Sequence, residues 1–152
     1  MSDFQIRPLA AEEITSAAAL FAMQLAEHDV QRSQAELVSP LTTLLAEPAN
    51  GFVLLAVAGQ NPIGAAYAAR ILSLEHGGWM GWLDELYVVP AWRNRGVGSA
   101  LLEATIAGAT ARGWGALDLE LDSDHERVVP LYQRNQFHPL HRTRFVRRLR
   151  SS

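Results

Sequence analysis

Residues 82–121 restrict the possible folds more than any other stretch. WLDELYVV (82–89) reads as a strand, and VVPAWRNRGVGS (88–99) turns the chain. SALLEATIAGATARG then carries Leu101, Leu102, Ile106 and Ala109 at helical spacing, with Gly113 as its expected C-cap. ALDLEL (116–121) follows, with Leu117, Leu119 and Leu121 on one face and Asp118 and Glu120 on the other. Strand, helix and strand in succession form a βαβ crossover, which demands parallel pairing inside one sheet.

The sequence before this unit reads differently. Phe4, Ile6 and Pro8 suggest a short strand, and Ile14, Ala17, Ala18, Phe21 and Leu25 a helix. EHDVQRS (27–33) is a polar break, and Ser33 is a suitable N-cap for a second helix ending near Pro48. GFVLLAVA (51–58) and IGAAYAARILSL (63–74), joined through GQNP, form a hairpin. A helix from Glu126 to Asn135 and one or two closing strands complete the order βααβββαβαβ. HRTRFVRRLR fits a charge-protected edge strand, with a polyanion-binding tail as the alternative. The expected fold is α/β: one mixed sheet with helices on both faces, in a single domain over residues 1–152.

Composition limits the function. At 152 residues and 49% hydrophobic content the chain can bury a real core. No apolar run is long and uncharged enough to cross a bilayer, and MSDFQIRPLA lacks the regions of a signal peptide. The cytoplasm is the expected location, with no membrane partner. The absence of cysteine removes thiolate nucleophiles, thiolate metal sites and disulfides. A net charge of -3 argues against nucleic-acid binding. His28, His76, His138 and His141 show no ligand spacing, so no metal is expected.

The glycine turn carries the chemistry. A helix N-terminus offers unpaired N–H groups and a positive dipole end, glycines admit a ligand close to the backbone, and Arg93 and Arg95 add charge. These features suit a phosphorylated ligand. A Walker loop is excluded because the chain contains no lysine, and the dinucleotide fingerprint fails at Leu101. Taken alone, Gly96 and Gly98 also fit a tight turn with close helix packing.

LDELYVVPAWRNRGVGSALL resembles the signature of the GNAT superfamily of N-acetyltransferases, R/Q-x-x-G-x-G/A between a strand and a helix, at Arg93, Gly96 and Gly98. HERVVPLYQRNQF (125–137) resembles the second signature, and the element order agrees along almost the whole chain. The resemblance implies acetyl-CoA as co-substrate. The amides of Asn94, Arg95, Gly96, Val97, Gly98 and Ser99 would hold its diphosphate, with charge from Arg93 and Arg95. Main-chain groups of Leu86, Tyr87 and Val88 would bind the pantetheine arm and the thioester carbonyl.

The resemblance also implies catalytic residues. Tyr132 matches the tyrosine that acts as general acid toward the leaving thiolate; as a residue type it also suits packing against the sheet. Asp84 or Glu85 would serve as base or anchor for a cationic acceptor, and strand alternation would turn only one of them into the cleft. A solvated strand end is the other reading of both. His125 replaces the signature's asparagine as a cofactor contact. Gln136 replaces its glycine, which implies a different turn before the last strands. The acidic series Asp118, Glu120, Asp122, Asp124 and Glu126 reads first as a solvated strand face running into helix N-terminal charges, with attraction of a cationic acceptor as the alternative. Glu27 and Asp29, by position, are substrate-side candidates.

The implied activity is transfer of an acetyl group to a primary amine of a small molecule by direct attack. Acetylation of protein N-termini or lysines, and acyl-CoA sensing without catalysis, are the alternatives. Dimerisation through the last strands is compatible with each.

Overall fold

The computed structural model describes residues 3–122 and 126–150. The chain divides into two compact units, Met1–Asp122 and Ser123–Ser152. The first holds a five-stranded sheet in the order β1 (Gln5–Pro8), β2 (Gly51–Ala58), β3 (Asn61–Ser73), β4 (Gly78–Val88), β5 (Leu117–Leu119). β1 to β4 are antiparallel neighbours, while β5 runs parallel to β4. The sheet is therefore mixed, as the crossover requires.

Two helices precede β2. α1 (Ile14–Glu27) ends where Asp29 turns left-handed at φ 60° and the Val30 N–H reaches back to the Leu25 carbonyl at 2.8 Å. α2 (Gln34–Ala46) starts at Ser33, whose hydroxyl accepts from the Glu36 N–H at 3.1 Å while Glu36 accepts from the Ser33 N–H at 3.0 Å. Both helices cover one sheet face. Ala17, Leu20, Phe21 and Leu41 pack there on Val53, Leu55, Val57, Ala65 and Tyr87.

α3 (Val97–Ala111) covers the opposite face. Two glycines set its closeness. A Cβ on Gly64 would meet the Leu101 side chain at 3.1 Å and the Tyr87 carbonyl at 2.8 Å. One on Gly81 would enter the Trp114 ring at 2.5 Å. Trp114 packs here with Ala68 and Ala109 and stacks on Phe52 with centroids 5.6 Å apart.

In the second unit, a short 3-10 turn leads into α4 (Val129–Arg134). Past α4 the structure departs from expectation, because no strand forms among the described residues 135–150. Phe145, Val146 and Leu149 are strongly exposed instead. The arginines between them interrupt the alternation, and a strand without a partner has nothing to stabilise it. The expected edge strand HRTRFVRRLR is corrected accordingly.

Candidate active site

The site begins where β4 loses a neighbour. β5 pairs with β4 only from Gly81 to Leu83, whereas β4 continues to Val88. β3 accompanies it throughout: the Val89 N–H donates to the Ile63 carbonyl at 2.9 Å, and the Tyr87 carbonyl lies against Gly64. In an antiparallel ladder both main-chain groups of a residue face the same neighbour. Leu86 and Val88 therefore turn theirs to the edge that β5 has left. The expected role of Tyr87 changes, since its main chain belongs to the β3 ladder and its ring to the core.

Side chains already occupy both carbonyls on that edge. Gln24 Nε2 donates to the Leu86 carbonyl at 3.1 Å, and Arg93 Nε donates to the Val88 carbonyl at 3.0 Å. The N–H groups of Leu86 and Val88 remain as the donors this edge presents. Gln24 is buried, and its Oε1 has no hydrogen-bond partner among the described residues. Such an orphan costs about 1–3 kcal/mol.

The glycine turn leads directly from this edge. Asn94 (φ 61°) and Gly96 (φ 84°) are both left-handed, with Arg95 between them, a conformation that gathers successive N–H groups into an anion-binding concavity. Gly96 is the N-cap of α3 and no side chain caps the helix; the Ala100 N–H makes the first intrahelical bond, to the Gly96 carbonyl, at 3.1 Å. The amides of Val97, Gly98 and Ser99 precede that bond and lack intrahelical partners. Helix dipole and N–H groups together fit a diphosphate. Arg95 lies 3.9 Å over the Trp92 ring and 3.9 Å from Asp3, half exposed beside the turn. Arg93 is engaged by side chain and main chain instead: its Nη2 donates to both Glu27 oxygens, at 3.0 and 2.8 Å, and its Nε to the Val88 carbonyl.

The acidic pair sits at an irregularity. Tyr67 pairs with Glu85 and Ala68 with Leu83, so Asp84 is an inserted residue, a β-bulge. Trp82 pairs with Ala69, which places it on the face of Tyr67 and Glu85, and its indole N–H donates to Asp84 Oδ1 at 3.2 Å. The bulge thus brings Asp84 and Glu85 to the same side. This corrects the expectation that alternation would leave only one of them facing the cleft. Burial, then the neighbouring Asp84 and Asp122 carboxylates, push the Glu85 carboxyl up to about 8. Burial and Asp84 also raise the Tyr67 hydroxyl.

His28 Nδ1 and Asp122 Oδ2 share a hydrogen bond that joins the end of α1 to the chain leaving β5. The sequence names both residues but gives no sign of their pairing, His28 standing among histidines without ligand spacing and Asp122 in a solvated acidic series. They are 94 residues apart, and no local pattern links them. Glu27, expected on the substrate side, is bound to Arg93, and Asp29 serves as the left-handed stop of α1.

In the second unit Tyr132 is buried, edge-on to Phe137 with centroids 5.7 Å apart, and burial pushes its hydroxyl up to about 12. Gln136 is left-handed at φ 69°, with the Phe137 N–H donating to the Tyr132 carbonyl at 3.0 Å. The glycine-type turn is therefore kept although the glycine is absent, contrary to the expectation of a different turn. His125 and Asp124 lie outside the described residues. Among the described residues no cluster of three or more His, Asp or Glu could hold a metal ion, and no helix is long and apolar enough to cross a membrane.

Comparison with known proteins bears on this arrangement. Residues 17–137 match the family model of the acetyltransferase (GNAT) family. No curated protein matches by sequence. An integron cassette protein from the mobile metagenome of Cole Harbour Salt Marsh is similar in structure, with TM-score 0.85 and 23% identity over 97% of this chain and 92% of that one. An aminoglycoside acetyltransferase from an uncultured soil metagenomic sample has TM-score 0.82 and 18% identity, covering 97% of both chains. A predicted acetyltransferase from Clostridium acetobutylicum, solved with acetyl-CoA, has TM-score 0.79 and 17% identity, covering 95% of this chain and 96% of that one. At these identities the likeness establishes the fold.

Proposed function

The chain belongs to the acetyltransferase (GNAT) family, and from that premise we propose that it transfers an acetyl group from acetyl-CoA to a primary amine of a small cationic molecule. One observation carries the reading: the open edge of β4 runs from the acidic pair at 84–85 to the amide-lined turn at 94–99. Seat and base lie on one continuous piece of backbone. Glu85 is one residue, about 3.3 Å of strand rise, from Leu86.

The residues divide the work. The amides from Asn94 to Ser99 hold the diphosphate through fixed dipoles, and Arg95 adds charge from the rim. The Leu86 and Val88 N–H groups orient the arm along the edge that β5 leaves. Acetyl-CoA supplies a thioester carbonyl open to attack by an amine. An N–H at Leu86 polarises that carbonyl, as a preorganised donor does.

Attack requires the acceptor ammonium to lose a proton. Glu85, with a carboxyl near 8, is poised close to neutral pH for that transfer. Asp84 and Asp122 attract a cation to the same place, and a bound ammonium lowers the Glu85 pKa, which turns the acid into a base as substrate arrives. Tyr132, by its position in the second signature, is assigned the return of a proton to the leaving thiolate. A hydroxyl held near 12 is protonated at working pH, the state that a donor needs. The small-molecule acceptor is supported by aminoglycoside acetyltransferases among the similar structures, whose substrates are amine-bearing by name.

A thiol-release assay with acetyl-CoA over a panel of amines, aminoglycosides and short peptides tests the proposal. The expected result is turnover with small polycationic amines and its loss in Glu85→Gln. Turnover confined to peptides would replace the small-molecule acceptor with a protein. No thiol release with any acceptor would contradict the enzymatic reading.

A further inference from the structure

Arg93 stands at the first position of the glycine-turn signature, where a cation facing a diphosphate is the immediate reading. Its side chain is committed elsewhere. Nη2 donates to both oxygens of Glu27 at 3.0 and 2.8 Å, and Nε donates to the Val88 carbonyl at 3.0 Å. The guanidinium carbon lies 5.6 Å from the centre of the Tyr87 ring. Burial first, and then a hydrogen bond with Glu27, raises the Tyr87 hydroxyl above its ordinary value. Three elements meet at this one guanidinium: the last residue of α1, the last residue of β4, and the entry to the turn.

We propose that Glu27 and Arg93 form a latch that positions the amide seat, with Arg93 acting as a positioning residue and not as a ligand of the diphosphate. The inference rests on reading residues 94–99 as that seat. Arg93 immediately precedes the left-handed Asn94, so anchoring its side chain five residues back, on Val88, fixes the direction in which the following N–H groups point. A planar guanidinium donates from Nε and Nη2 in a rigid fork, which an ammonium does not reproduce. Glu27 compensates the charge of Arg93, leaving the main-chain dipoles and Arg95 as the positive features facing an anion. The same latch ties the seat to the polar break after α1.

Calorimetric titration of coenzyme A into wild type and Glu27→Gln separates latch from ligand by the sign of the change. Were Arg93 a phosphate ligand restrained by Glu27, removing the carboxylate would free a cation and tighten binding. The latch predicts binding weaker by about fivefold. In acetyl-transfer kinetics it predicts a raised KM for acetyl-CoA, with kcat and the KM for the amine within about twofold of wild type. Thermal melting without ligand establishes that the variant is folded. Should Glu27→Gln not fold, Glu27→Asp serves instead: it keeps the charge but draws the carboxylate back from Arg93 Nη2, so the latch predicts weakening whereas a restrained phosphate ligand predicts equal or tighter binding. Unchanged or tighter binding in the folded variant overturns the latch alone. Absence of coenzyme A binding by the wild-type chain overturns the seat and the latch together.

Discussion

Glu85 lies directly across the β3–β4 ladder from Tyr67, and the residue before it, Asp84, is inserted between the paired positions Leu83 and Glu85. That offset places two carboxylates on one face beside Asp122 and keeps Glu85 protonated well above the usual carboxylate range. Burying a carboxyl here costs stability once it ionises.

The pH dependence of stability follows in sign. Between its ordinary value of 4.5 and about 8, Glu85 binds more proton in the folded than in the unfolded chain. Stability from this group is complete below 4.5 and falls as pH rises toward 8. Chemical denaturation of wild type and Glu85→Gln from pH 4 to pH 9 should show the variant gaining relative stability across that window. A constant difference would remove the burial argument. In turnover, kcat/KM for the amine should rise through pH 8 in wild type, and Glu85→Gln should lose most of its rate, on the order of a hundredfold.

Gly81 predicts a packing effect. A methyl group there would enter the Trp114 ring at 2.5 Å and approach Leu117 at 2.9 Å, at the position where β4 pairs with β5. Gly81→Ala should lower stability by about 1–3 kcal/mol, measured by urea unfolding with an unchanged m-value.

Gln136 predicts a gain. A glutamine at φ 69° holds a backbone that glycine adopts freely. Gln136→Gly should raise stability by about 1 kcal/mol if that turn unfolds with the rest of the chain. A lower melting temperature would mean that the glutamine side chain contributes more than its backbone strain costs.

Tyr132 predicts a kinetic effect. Tyr132→Phe should lower kcat by about 10²-fold, in the range of a lost general acid, with acetyl-CoA affinity retained. Loss of affinity without loss of kcat would reassign the ring to packing.

Local signals carried far in this chain. Ser33 announces a helix start as an N-cap residue, and the structure adds Glu36 as the other half of a capping box. The strand–turn–helix grammar around Gly96 was equally readable, because left-handed glycine and the unpaired helix amides are properties of a few neighbouring residues. The hidden features are non-local. The bulge at Asp84 depends on register against Tyr67, and no residue type in WLDELYVV signals it. Arg93 and Glu27 meet across 66 residues, so a cation that reads locally as a phosphate contact is bound to a helix end. The strand that failed to form, HRTRFVRRLR, shows the opposite limit, since alternation alone supplies no partner.

The most direct test is a calorimetric titration of acetyl-CoA into wild type and Gly96→Val. A branched side chain at φ 84° forces the turn out of its left-handed geometry and scatters the amides that the seat depends on. The predicted result is saturable one-to-one binding by wild type and at least roughly tenfold weaker binding by the folded variant. Equal affinity in the two proteins would contradict the claim that the turn after β4 holds the diphosphate.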